Sequence, residues 1–292
     1  MVRAARSPWG ERVAHRYHQH VRYAVDLGNS AAKAALLSEG ALRSLRVAAP
    51  ADSRQPAAWT GPIATLLDLI ASERLPATSL RVASVVPAAT AALQLACAAR
   101  SIPLDVIEAR DVPIELAVDE PGRIGVDRVL AAWRAYATLG TPAGRGAIAV
   151  TLGTALTITC VDRQGRVIGG AIAPSPLLAA RALAQGTAVL PEVTLYDESP
   201  DLPSAIGAST ESALAAGILR GARAALIGLI ADASAEMLRR DPGAPAPALA
   251  LGGGAASAGW SAGIAADLRE PDLVLHALLA LPERASTGGR AG

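Results

Sequence analysis

No phenylalanine occurs in this chain, and aromatic residues make up only 3% of it, so its cores must be built from Leu, Ile, Val and Ala. The 51% hydrophobic share is inflated by alanine, a mark of genomic base composition rather than of function. Lysine is all but missing. Lys33 is the only one, and because Ala32 rather than glycine precedes it, no Walker A loop exists. Cysteine is limited to Cys97, in an alanine-rich helical stretch, and Cys160, in an apolar strand. That scarcity excludes a disulfide framework or cysteine metal site and predicts two buried thiols. Neither sign of charge dominates: the net charge is +1, which gives no electrostatic case for nucleic acid or an acidic membrane. Small molecules or copies of the chain itself are the expected partners.

Long apolar, glycine-free runs are also lacking, so no membrane span is expected. Residues 1–20 carry arginines and histidines instead of the apolar run of a signal peptide, and a cytoplasmic location is the expectation. His15, His18 and His20 in this leader fix no coordination geometry, so a mobile basic segment is expected there rather than a metal site. No Gly-x-Ser-x-Gly elbow, HExxH or paired CxxC is expected in the chain. A Rossmann reading of Gly252-Gly253-Gly254 with Asp272 as ribose acid fails on context, since Asp272 precedes its apolar strand instead of ending it.

What is present has the rhythm of an α/β protein. The chain is long enough for two ordinary domains. Val21–Val25 and the segment holding Lys33 read as two strands joined by the tight turn Asp26-Leu27-Gly28-Asn29-Ser30. Such a turn has two readings, an ordinary Gly-Asn hairpin and a phosphate loop. In the second, Gly28 admits an anion, Asn29 and Ser30 offer donors, and Asp26 holds the water shell of magnesium. A polar loop over Pro50–Pro62, a helix near Ile63–Ser72, a buried strand over Leu80–Pro87, a helix over Ala88–Arg100 and a strand over Ile102–Ile107 follow.

The segment Asp119–Arg123 is the expected boundary, giving lobes of residues 21–122 and 123–292. Beyond it come a helix over Asp127–Leu139 and three strands, Ala147–Leu152, Leu156–Val161 and Arg166–Ile172. Gly153-Thr154-Ala155 links the first two. This second strand–glycine turn–strand predicts a duplicated fold with paired phosphate loops facing one cleft. Helices are expected after Pro176 and over Ser209–Leu238, then a strand over Ala248–Leu251 and a glycine turn into another helix. Gly125-Val126-Asp127-Arg128 opens the second lobe. Its carboxylate is either an N-cap or a base for a substrate hydroxyl, with Arg128 gripping a carboxylate.

Taken together, Asp26-x-Gly-Asn-Ser, Ser84-Val-Val-Pro, Gly125-x-Asp-Arg, Gly153-Thr-Ala-x-Thr, Gly169-Gly-Ala-Ile-Ala-Pro and Gly252-Gly-Gly resemble, in order and spacing, the type III pantothenate kinases. The similarity spans roughly Val21 to Pro282. It implies the actin, hexokinase and Hsp70 type of fold, two α/β lobes with ATP in the cleft, and a homodimer. It implies transfer of the ATP γ-phosphoryl group to pantothenate, toward coenzyme A, with magnesium and a monovalent cation, potassium or ammonium. Carried over by motif, Asp26, Gly28, Asn29, Ser30 and Lys33 line the first phosphate loop and Gly153 and Thr154 the second. Asp127 is the base, Gly125, Arg128 and Thr210 hold pantothenate, and Gly252 and Gly253 flank adenosine. The chain departs from the family at Thr151 and Thr159, where acidic residues are usual, and at Pro174-Ser175, where Pro-Gly is usual. The first departure predicts a weakened cation site and motivates a second reading, a non-catalytic relative that keeps the fold for ligand sensing. The second predicts an altered backbone after the third strand.

Overall fold

The computed structural model describes residues 22–38, 40–73, 77–195 and 201–283. The basic leader and its histidines lie outside them. The first sheet contains β1 (Arg22–Leu27), β2 (Ala31–Ser38), β3 (Ala41–Ala48), β4 (Ser79–Ser84) and β5 (Leu104–Ile107) in the order β3-β2-β1-β4-β5. Its first three strands are antiparallel neighbours, while β4 and β5 continue parallel to β1. The second sheet holds β6 (Glu115–Leu116), β7 (Ala147–Leu152), β8 (Ala155–Val161), β9 (Arg166–Pro174), β10 (Ala248–Gly252) and β11 (Leu268–Glu270) in the order β11-β10-β7-β8-β9-β6. Strands β7 to β11 thus repeat β1 to β5 in both order and direction. The duplication expected from two glycine hairpins is present, and with it the two-lobed fold of the actin, hexokinase and Hsp70 type.

Layering follows from strand alternation. On one face of the first sheet, Val25, Leu27, Leu80 and Val82 pack with Trp59, Ile63 and Leu66 beneath α1 (Thr60–Ser72) and α2 (Pro87–Ala99). Trp59 is fully buried and donates its Nε1–H to the Ser53 carbonyl at 2.9 Å. The opposite face presents Ala24, Ala35 and Ala83 to α3 (Val126–Ala135) and α6 (Leu273–Ala280). The other side of α3 sets Ala131, Ala132 and Ala135 against Ala147, Ala149 and Ala250 of the second sheet. Two helices therefore fill the space between sheets, and alanine on both sides lets them approach closely. On the outer face of the second sheet, Ile148, Val150 and Ile158 meet Leu219 and Leu226 of the long α5 (Thr210–Arg240), with α4 (Pro176–Gly186) beside it.

Two elements cross the expected division at residues 122 and 123. Strand β6 pairs with β9 in the second sheet, and α6 returns to the first. Arg81 of β4, only 3% exposed, fixes that return. It donates to the carbonyls of Leu278, Leu281 and Pro282 and bonds Asp105 at 3.1 Å. A cation thus caps the carbonyl end of the helix, where the dipole favours it.

Several expectations need correction. Residues after Asp272 form helix α6, not a strand; Leu273, Leu275, Ala277 and Leu278 are all buried, and a short run apolar apart from His276 has no period to read. The Gly252–Gly254 turn leads only into short 3₁₀ turns, Gly254–Ser257 and Gly259–Ser261. Ser175 causes no distortion: at φ −71° it is the N-cap of α4, its hydroxyl accepting from the Leu178 amide at 3.2 Å. Helix α5 is long and apolar enough to cross a membrane by length and composition, although Gly217, Gly221 and Gly228 interrupt it. Both thiols are buried as expected, and burial pushes Cys160 up to about 11.

Candidate active site

The two glycine turns meet. Ser30 Oγ, in the β1–β2 turn, lies 2.6 Å from Thr154 Oγ1 in the β7–β8 turn, joining loops 124 residues apart. In each turn the glycine N–H donates back to the first residue of the next strand, Gly28 to Ala31 O at 3.0 Å and Gly153, in a turn one residue shorter, to Ala155 O at 3.1 Å. A methyl group on either glycine would meet only an ordinary van der Waals neighbour, at 3.6 and 3.7 Å. Neither glycine is demanded by the fold. What each leaves open is the space in front of its turn, where an anion needs to approach backbone amides.

Asp26 lies one residue before the end of β1, behind the first turn, with Lys33 opposite it on β2. Burial is the main reason its carboxyl is raised to about 7; Lys33 pulls it down, and Asp127 and Asp272 push it up. All four groups therefore share one cleft. Lys33 Nζ is 3.7 Å from Asp272 Oδ1, which stands just before α6. Asp272, discarded as a ribose acid, returns as the counter-ion of the single lysine.

Asp127 does not cap α3. Gly125 is the N-cap residue and uses no side chain, and Asp127 sits in the first turn with Oδ1 accepting from the Arg128 amide at 2.8 Å. A Cβ on Gly125 would stand 2.5 Å from that Oδ1, so a side chain there would push the Asp127 carboxylate from its place. Burial raises the Asp127 carboxyl above the usual range, with the Arg128 amide and guanidinium opposing. Arg128 itself reaches β8: Nε donates to Thr159 Oγ1 at 3.2 Å and Nη2 to Ile158 O at 3.3 Å.

The duplicated topology aligns Asp26-Leu27-Gly28 with Thr151-Leu152-Gly153. Where the first lobe pairs Asp26 with Lys33, the second pairs Thr151 with Thr157, hydroxyl to hydroxyl at 2.6 Å. Thr159, two residues further on the same face, is 1% exposed. The turn after β10 closes the cleft. Gly253 has φ +92°, and a Cβ there would fall 2.5 to 2.7 Å from the Leu152 backbone. Gly252 abuts Leu273 as tightly, at 2.6 Å.

Arg46 is a cleft residue that the sequence reading missed. From exposed β3 it places Nη1 3.6 Å from the position of a Cβ on Gly254, so a cation of the first lobe reaches the glycine turn of the second. The signal was faint: β3 itself went unread, and only its register with Lys33 brings Arg46 to the cleft.

Thr210, the first residue of α5, is exposed behind the Ser209–Ser212 capping box. It lines an apolar groove of about 630 Å³ between α4, α5 and the ends of β8 and β9. Contrary to expectation, Gly259-Trp260-Ser261-Ala262-Gly263 does spell a Gly-x-Ser-x-Gly string. Ser261 is fully buried and donates to the carbonyls of Ala255 and Ala258, so it is no exposed nucleophile.

Known proteins resemble this chain in sequence. A family model described as type III pantothenate kinase matches residues 23–232. A type III pantothenate kinase of Sphingopyxis alaskensis is 33% identical over 88% of this chain and 96% of its own length. One of Rhizorhabdus wittichii is 32% identical over 91% and 98%. Among solved structures, a ROK family glucokinase from Streptomyces griseus, in complex with glucose and AMPPNP, aligns over 89% of this chain and 98% of its own, with a TM-score of 0.48 and 15% identity. The glycine turns, the Asp127-Arg128 helix start and these sequence matches lead to one conclusion: the chain belongs to the type III pantothenate kinase family.

Proposed function

We propose that this chain transfers the γ-phosphoryl group of ATP to the primary hydroxyl of pantothenate, giving 4'-phosphopantothenate at the start of coenzyme A synthesis. The contact between Ser30 and Thr154 carries the reading, because it brings two duplicated phosphate turns mouth to mouth beside Asp26 and Asp127. Those hydroxyls are the donors that a polyphosphate would take over. Gly28, Asn29 and Ser30 cradle one part of it, Gly153 and Thr154 another, and Lys33 and Arg46 neutralise its charge. Gly252 and Gly253 flank the nucleoside. Phosphoryl transfer gains most from positioning and charge neutralisation, and this arrangement supplies both.

Asp127 acts as base. Its raised affinity for a proton suits it to accept one from the acceptor hydroxyl, and the bond from the Arg128 amide aims the carboxylate. Arg128 turns its Nε side to β8, leaving the Nη1 side to grip the acceptor's carboxylate, with Gly125 beside it.

Magnesium fits this site. It needs only one or two carboxylates, with water and substrate phosphates completing its shell, and Asp26 offers one half-buried carboxylate at the turn. Bound there with the nucleotide, it would hold Asp26 ionised and neutralise phosphate charge. No group of three or more His, Cys, Asp or Glu residues able to hold a metal occurs among the described residues, as befits an ion brought in by its substrate. A monovalent cation fits the second turn poorly, because Thr151, Thr157 and Thr159 bring no negative charge and the Arg128 guanidinium stands against Thr159.

A homodimer accompanies this reading. The groove carrying Thr210 is apolar, and Leu177, Leu178, Leu183 and Ile227 expose 37% to 46% of their surface near it, a patch that a second copy would cover. Thr210 would then meet acceptor from the partner's side. A cytoplasmic location accompanies this reading.

The neutral second turn favours one further reading, a relative that binds these ligands without turnover. Mass spectrometry of a reaction with ATP, magnesium and pantothenate separates the two: the kinase yields phosphopantothenate and ADP, whereas calorimetric binding without product establishes the sensor.

A further inference from the structure

We propose that the second phosphate turn takes no monovalent cation, and that a layer of Thr151, Thr157, Thr159 and Arg128 holds it in the cation's place, so that transfer runs without potassium or ammonium. The transfer half of this inference rests on the kinase reading; the binding half does not.

The donor set is the first argument. A potassium ion stripped of water needs several oxygens turned toward it, preferably with a carboxylate among them. Thr151 and Thr157 are direct cross-strand partners whose hydroxyls satisfy each other at 2.6 Å. Thr159 continues the same face, and its hydroxyl accepts from Arg128 Nε at 3.2 Å. Ile158 O on that strand accepts from Arg128 Nη2 at 3.3 Å. None of these oxygens is a carboxylate, and two of them already accept from the Arg128 guanidinium, so an ion there would find only neutral donors beside a fixed cation.

Charge is the second argument. The fixed positive group in this layer is a guanidinium, which cannot be deprotonated in water and repels another cation at contact distance. In the first lobe the equivalent strand pair is Asp26 with Lys33, one negative and one positive charge. In the second lobe the pair is neutral, and the charge comes from α3. Arg128 ties β8 to the helix that carries Asp127, a structural task that a bridging ion would otherwise perform. The layer thus fixes the base relative to the second turn without an exchangeable part.

The test uses the whole protein in two measurements at constant ionic strength, with choline chloride as the reference for potassium and ammonium chloride. Thermal melting is expected to coincide in the three salts. Turnover is expected to change by less than about twofold, against the ~10- to 100-fold that removing a supporting ligand of a metal typically costs. The double variant Thr151→Asp/Thr159→Asp is expected to acquire a potassium-specific rise in melting temperature. Because the variant can fail to fold, the wild-type series decides alone. A potassium-specific rise in wild-type melting overturns the inference with or without turnover, and tenfold activation by potassium overturns it as well. Absence of turnover in every salt, with melting unaltered, sinks the kinase reading and upholds the cation-free turn.

Discussion

At the scale of single residues, glycines separate ligand space from fold space. Gly28 faces open space, so Gly28→Ala should leave stability within ~0.5 kcal/mol of wild type yet lower kcat/KM for ATP by ~10- to 100-fold, since small misplacements near transferring groups are costly. Gly253 lies at φ +92° against the Leu152 backbone, and Gly253→Ala should cost about 1–3 kcal/mol in chemical denaturation. Asp26 carries the reverse conflict, function against stability. Its pKa rises from 3.8 to about 7 in the folded chain, so the folded state favours the protonated acid. Stability from this group is complete below its ordinary value and is lost as pH climbs through about 7. Asp26→Asn should therefore melt higher than wild type at pH 8, by roughly 2–4 °C for each kcal/mol relieved, while losing transfer activity. Equal melting of the two proteins at pH 8 would show that Asp26 bears no burial cost.

At the scale of elements, legibility followed the strength of local pattern. Both glycine hairpins, the strand ending at Ser84 and helices α1, α2, α3 and α5 lie where alternation, caps and punctuation place them. Strand β3 escaped notice because Ala41–Ala48 is a largely exposed edge whose arginines break the apolar alternation. Strands β6 and β11 have two and three residues, too few for any period. Helix α6 reads as a strand because its run is apolar apart from His276 and too short to show a period. In the cleft, Asp26, Asp127, Arg128 and the turns were legible through motif spacing. Arg46 and the Lys33–Asp272 pair were not, since strand register and a returning helix bring them there. The attachment of that helix is itself testable: Arg81→Ala removes a buried cation holding three carbonyls and Asp105, and should destabilise the protein by about 3 kcal/mol, read by urea unfolding.

At the scale of the whole molecule, one duplicated topology gives two turns of similar shape and different chemistry. The first holds Asp26 and Lys33; the second holds a neutral threonine pair, with charge delivered by Arg128 from the central helix. The apolar groove along α5 lies on the outer face, away from the helices between the sheets. Light scattering should give twice the mass of one chain, and Ala225→Arg, an exposed change on the groove wall, should yield folded monomers. A monomeric wild type would contradict the shared role of Thr210. The central claim is that the cleft where the two glycine turns meet transfers phosphoryl groups with Asp127 as base. Its most direct test is kcat for pantothenate, with saturating ATP and magnesium, in wild type and in Asp127→Ala. The account predicts measurable wild-type turnover and a fall of ~10²- to 10⁴-fold in the variant with melting little changed. Equal rates in the two proteins, or no wild-type turnover at all, would contradict it.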